Sequence, residues 1–125
     1  MVDAVEAYYS GNYGTAIERL LKIKVVSPFI QYYLALCYDA MNQAGTAITV
    51  LEDLRRNYST FETGFYQDYA DVAAKSYYLT GKAYEKLNER RKAIQSYEKF
   101  LELWKHADKD IPELMDARKR LAALR

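Results

Sequence analysis

Few side chains in this sequence could carry chemistry. His106 is the sole histidine and Cys37 the sole cysteine. With Asp108 or Asp110, His106 could act as a base or a ligand. As an exposed residue in the last turn of a helix, its partial positive charge would instead suit the helix dipole. No nucleophile stands at motif spacing from it, so no catalytic residue is assigned. Cys37 follows Leu36 on a helical stretch and reads as a small buried hydrophobe rather than a reactive thiol. Asp108, Asp110 and Glu113 lack the glycine and the ligand ladder of a calcium loop, and helix capping accounts for them. A single cysteine excludes an internal disulfide and any multi-thiolate metal site. The sequence contains no phosphate-binding loop, no dinucleotide-binding glycine turn and no His-Glu-x-x-His. The expectation is a protein that is not an enzyme and takes no cofactor or metal.

Charge narrows the partners. Lys and Arg number 18 and Asp and Glu 17, for a net charge of +1. That balance argues against a dedicated nucleic-acid or anionic-membrane binder, which needs a concentrated positive field. The densest basic runs, "ERRKAIQ" and "RKR", have no aromatic-lined groove tied to them and read as solvated helix faces. The charge is nonetheless uneven: residues 1–74 carry a net −4 and residues 75–125 a net +5. Such polarity could bias head-to-tail contacts or partner choice. No apolar run approaches the length of a membrane span, and Met1–Ser10 lacks the basic start and apolar stretch of a signal peptide. The expected chain is soluble and cytoplasmic, with no nucleic-acid or membrane partner.

The elements that position these residues are helical. Thirteen tyrosines accompany only five glycines and two prolines, and apolar residues recur three and four apart. Helices are expected at about 3–10, 13–25, 28–41, 44–57, 66–87, 90–106 and 111–124. Ser27 before Pro28 is a start signal, a side-chain cap followed by proline in the first turn. Asp110 to Glu113, with Pro112 between, reads as another. The last helix places Leu114, Ala117, Leu121 and Leu124 on one face, with Arg118, Lys119 and Arg120 mainly elsewhere.

Three segments are copies of one another: "VEAYYSGNYGTAIERLLKI", "LCYDAMNQAGTAITVLEDL" and "KAYEKLNERRKAIQSYEKF". Each has a helical stretch, a turn at Gly11, Asn42 or Asn88, and then an Ala-Ile pair at Ala16, Ala47 or Ala93. Gly and Asn tolerate the left-handed conformation of a helix C-cap best. The alanines would let the second helix approach the first closely. Each hairpin keeps an apolar flank it cannot bury alone, so the hairpins should stack.

The pattern resembles the tetratricopeptide repeat family. Tyr77, Gly81, Ala83, Tyr84, Ala93, Tyr97 and Leu101 carry the likeness best, followed by Leu34, Ala35, Tyr38, Ala47 and Leu51, with Gln31 where a large aromatic is usual. The first copy keeps Gly11, Asn12, Tyr13, Ala16 and Ile17, with Pro28 at the closing position. The likeness implies an all-α, right-handed α-solenoid of about three hairpins (about 1–27, 28–59 and 74–107) plus a capping helix over 111–124. The alanines are 31 residues apart and then 46, against a family period of about 34. The second step therefore carries an insertion, at about 60–73. Met1–Ser10 supplies only half of a first helix, which reads as a boundary within a longer protein. The C-terminal stretch also resembles the ends of bacterial multidomain proteins that carry such repeats.

In this family the first helix of each hairpin lines a concave surface on which partner peptides lie. The residues expected there are Tyr8 and Tyr9 with Val5, then Phe29, Tyr32, Tyr33, Leu36 and Asp39, then Lys75, Tyr78, Leu79, Lys82 and Glu85. Tyrosine suits such a surface, or the rings pack on one another. Relatives that clamp a C-terminal carboxylate use positions held here by Met1, Val5, Tyr33, Lys75 and Leu79, of which only Lys75 fits. Within "TFETGFYQDYADVAAKSYY", Tyr69, Ala73, Tyr77, Thr80, Tyr84 and Leu87 are expected to form one buried stripe. Asp68, Asp71, Lys75, Tyr78 and Lys82 form another face, with Asp71 and Lys75 in favourable i, i+4 order. Phe61, Phe65 and Tyr66 have no place in the repeat and are expected to fold over the neighbouring hairpin or the groove's edge. The expected function is non-enzymatic binding of a protein or peptide partner in a Tyr-rich groove. The alternative is homo-oligomerisation through an apolar end around Val5, Ile17 and Leu21.

Overall fold

The computed structural model describes residues 2–24, 27–58 and 67–125, with residues 58 and 67–70 described by backbone alone. These residues form seven helices: α1 (Val2–Tyr9), α2 (Tyr13–Leu21), α3 (Pro28–Ala40), α4 (Ala44–Tyr58), α5 (Gln67–Lys86), α6 (Arg90–Leu103) and α7 (Pro112–Leu124). Helices α1 and α2, α3 and α4, and α5 and α6 pair as hairpins, each hairpin packing on the next, with α7 lying against α6 and α5. Phe61, Phe65 and Tyr66 lie outside the described residues.

Each hairpin turns by the same device. Gly11, Asn42 and Asn88 have φ of 83°, 61° and 59°. The N–H of the next residue, Asn12, Gln43 or Glu89, reaches back to the carbonyl of Ala7, Tyr38 or Tyr84 at 2.8, 2.8 and 2.9 Å. The left-handed residue itself bonds to Tyr8, Asp39 or Glu85 at 3.0 Å in all three. These two bonds are the Schellman pair, satisfying carbonyls that a helix end would otherwise leave open. The carbonyls of Asn12, Gln43 and Glu89 then accept the N–H of Ala16, Ala47 and Ala93 at 3.0 Å, opening the second helix. Those alanines are among the most buried positions of the hairpins, 0, 1 and 0% exposed.

Several helix ends differ from expectation, each for a local reason. Helix α2 stops at Leu21 rather than near 25. Ser27 must be extended ahead of Pro28 (φ −150°, ψ 136°) while its hydroxyl accepts the Phe29 N–H at 3.2 Å. Helix α6 stops at Leu103 rather than 106: Trp104 leaves helical geometry (φ −109°, ψ 25°), and its ring lies tilted against Phe100 at 5.1 Å. His106 therefore sits in the connection beyond the helix. Helix α7 is capped by Ile111 and not Asp110, since the residue before Pro112 must itself be extended. Asp110 donates its N–H to the Asp108 carboxylate at 3.3 Å instead.

Helix α5 is the axis of the molecule. It packs against α3, α4, α6 and α7, so its buried face is much wider than one stripe. Val72, Ala74, Ser76, Tyr78, Leu79, Thr80, Gly81 and Ala83 are all buried, while Leu87 is 47% exposed and Ala73, Tyr77 and Tyr84 only half-covered. Of the expected stripe, Thr80 is buried, while the Tyr69 side chain lies outside the described residues; the described members otherwise flank the buried arc. Its buried hydroxyls are paired: Ser76 donates to the Ala73 carbonyl and Thr80 to that of Ser76, and both accept from the Arg55 guanidinium at 2.9 and 3.1 Å. Arg55 lies 4.4 Å over the Tyr77 ring. Gln31 leaves its buried Oε1 without a partner among the described residues, and nothing in the structure explains it.

Helix α7 covers the end of the array by burying Leu114, Ala117 and Leu121 against Phe100 and Tyr97. Burial of each leucine contributes about 2 kcal/mol, more than the ~0–1 kcal/mol of an exposed ion pair, so apolar contact docks the helix and its charges orient it. Arg118 and Lys119 are exposed, but Arg120 is partly covered and ion-paired.

Gly81 sets the approach of α5 to α6. A Cβ there would stand 2.7–2.9 Å from three carbons of the Tyr97 ring, which is wholly buried and cannot step aside. Overpacking of this kind costs about 1–3 kcal/mol. Gly81→Ala should therefore lower the thermal midpoint by roughly 3–10 °C in circular dichroism. Gly45→Ala, where the added Cβ meets open space, should leave it unchanged or raise it.

Candidate partner-binding groove

The open surface starts on α1 and α3. Tyr9 is 73% exposed and Phe29 40%. The rings of Tyr9, Tyr8, Tyr33 and Tyr32 follow one another edge to face, with centroids 5.0, 5.9 and 6.1 Å apart, the arrangement aromatic quadrupoles favour. Burial pushes the hydroxyls of Tyr8, Tyr32 and Tyr33 above the ordinary phenol range, so these rings stay neutral at any physiological pH.

Beyond the tyrosines the surface sinks into two hollows. One of about 240 Å³ is lined by Phe29, Tyr32 and Tyr33 of α3 and by Asp71, Val72 and Lys75 of α5. The other, of about 630 Å³, lies past α5 and is lined chiefly by Asp71, Ala74, Trp104, His106, Ala107 and Ile111. Asp71 lines both. The Lys75 ammonium lies 5.9 Å from the Trp104 ring, and the expected Asp71–Lys75 ion pair does not form among the described residues.

The residues expected at this surface divide. Phe29, Tyr32, Tyr33 and Lys75 share the smaller hollow, with Tyr8 and Tyr9 continuing it. Leu36 is half-buried and packs into the core. Asp39 is bound by the Lys86 ammonium at 2.9 Å. Lys82 lies 5.4 Å over the Tyr78 ring. Tyr78 is a correction: it is 9% exposed and packs on Phe100 and Tyr97 at centroid distances of 5.5 and 6.2 Å. Helix α7 occupies the place a following first helix would take, and closes the surface over that ring. Asp71, Val72, Trp104, His106 and Ile111 are the lining residues that sequence reasoning missed. Only Asp71 had a signal, its place on one helix face with Lys75.

The closed end is held by a polar chain. Tyr78 donates its hydroxyl to Asp116 and Tyr97 donates to Glu85. Arg120 bridges the two carboxylates, Nε to Asp116 at 2.7 Å and Nη1 to Glu85 at 2.9 Å. Burial and these hydrogen bonds push both phenols up. Burial also pulls the Asp116 carboxyl upward, but the hydrogen bonds from Tyr78 and Arg120 and the Arg120 charge outweigh it and hold it below the usual carboxylate range.

Cys37 is fully buried, with its thiol pushed up to about 11 by burial. Among the described residues no group of three metal-ligating side chains converges, and no helix is long and apolar enough to cross a membrane. What the site offers is stacked first helices with an open aromatic face. The tetratricopeptide repeat pattern matches residues 30–60 and 75–106. The chain belongs to the tetratricopeptide repeat family. Repeats of this family generally mediate protein–protein interaction. Neither a curated protein nor a solved structure matches the chain. The matched repeats are α3–α4 and α5–α6, and the second match begins at Lys75. The first two turns of α5, which bring Asp71 and Val72 into the hollow, therefore lie outside the repeat pattern.

The Asp116 chain gives a pH test. A carboxyl held low in the folded state stabilises it above the unfolded pKa of about 3.9 and loses that contribution as pH falls through the folded value. The gap in thermal midpoint between the native chain and Asp116→Asn should be widest near neutral pH and shrink below about pH 4.

Proposed function

We propose that this chain is a non-enzymatic interaction module that takes a segment of a protein partner across the aromatic surface of α1, α3 and α5. The supporting observation is the open hollow between α3 and α5, where Phe29 remains 40% exposed beside Tyr32 and Tyr33. Rigid aromatic rings give contact area at low entropic cost and dominate interface energetics. Selection of random twelve-residue peptides displayed on phage should yield binders of this surface. Loss of two such anchors costs about 2 kcal/mol or more, so Phe29→Ala with Tyr33→Ala should weaken them at least ~30-fold while circular dichroism stays helical. Binders that ignore the double variant would count against the groove.

A second reading is assembly of copies through the α1–α2 end, where Val2 is 69% and Leu21 64% exposed. Val5 and Ile17 beside them are half-buried. Light scattering at high concentration should then give a mass above 14.5 kDa that falls to the monomer in Leu21→Glu. A monomer in the native chain would dismiss it.

A further inference from the structure

The smaller hollow has a charge that its aromatic lining makes selective. Asp71 is exposed and neither hydrogen-bonded nor ion-paired among the described residues, although Lys75 stands one turn away. Glu113, in the first turn of α7, is likewise unpaired there, and its charge reaches both Tyr32 and Tyr78. Of the cations, Lys75 lines the hollow, and it is drawn toward Trp104 on the far side, while Lys82 lies over Tyr78. The other nearby acids are satisfied, Asp39 by Lys86 and Asp116 by Arg120.

From this geometry we infer that the groove receives a basic side chain of the partner, lysine or arginine, seated on Phe29, Tyr32 and Tyr33 and paired with Asp71. The inference rests on the groove being the partner site. Ring faces attract cations, the more so when the charge leaves water. The molecule already uses this contact at four places: Arg55 on Tyr77, Lys75 on Trp104, Lys82 on Tyr78 and Lys92 on Tyr84. The rings of the hollow hold no such cation among the described residues. Its volume of about 240 Å³ is below the roughly 300–1,000 Å³ of small-molecule sites, which fits one side chain of a longer segment. An incoming carboxylate would meet Asp71 in the hollow's lining, with Lys75 drawn away toward Trp104, instead of a cationic clamp. Asp71 comes from the extra turns of α5, so the irregularity in repeat spacing is what supplies the anchor.

The probe is the same random twelve-residue library, with binders sorted by their dependence on Phe29 and Tyr33. Groove-dependent binders should share a lysine or arginine. They should lose roughly five- to thirtyfold in affinity to Asp71→Asn, far less to Asp71→Glu, and should weaken as salt is raised. Groove-dependent binders that are neutral or acidic and indifferent to Asp71→Asn would overturn the inference and leave the groove reading standing. If no binder depends on Phe29 and Tyr33, both fall.

Discussion

The array depends on one backbone constraint repeated three times. A helix that is to double back within two residues must place one residue in the left-handed region, where a Cβ costs about 1–2 kcal/mol unless the residue is Gly or tolerates it as Asn does. Gly11, Asn42 and Asn88 meet that condition and hold the same pair of hydrogen bonds to the helix they end. Because the turn fixes where the second helix starts, it also fixes which residue meets the first helix most closely. That residue is alanine in each hairpin, and it is buried each time. Stacking follows, since a hairpin built this way still has an uncovered apolar flank.

What could be read from the residues follows the range of the physics involved. Turn residues, the close-packed alanines, the Ser27 cap and the apolar face of α7 are local and were legible. Ends were less so: Trp104 leaves α6 early, its ring tilted against Phe100, and proline geometry at Pro112 displaced the cap from Asp110 to Ile111. Tyr78 shows the harder limit. Its spacing relative to Lys75 and Lys82 suits an open face, and only packing against α6 and α7 makes it core. Trp104, His106 and Ile111 reach the larger hollow from a connection 33 to 40 residues beyond Asp71, a convergence that helical periodicity does not encode.

The closed end also shows how apolar and polar contacts divide the work. Leu114, Ala117 and Leu121 supply most of the attraction that docks α7. They would tolerate some sliding along α5 and α6, because apolar contact is not directional. The chain from Tyr78 through Asp116, Arg120 and Glu85 to Tyr97 would not. Hydrogen bonds of fixed geometry specify one register out of several that would bury similar area.

The unequal length of the first helices has a directional consequence. Asp39 meets Lys86, and Phe29 shares a hollow with Asp71 and Lys75, so α3 and α5 run side by side with an offset of about 42–47 residues. On that alignment α5 overhangs the start of α3 by three to eight residues, about 4.5–12 Å at 1.5 Å per residue. A trough between helices of equal length would look alike from either end. Among the described residues this one has a ledge at one end only, so its two directions along the trough are inequivalent in helix length, before any side chain is read.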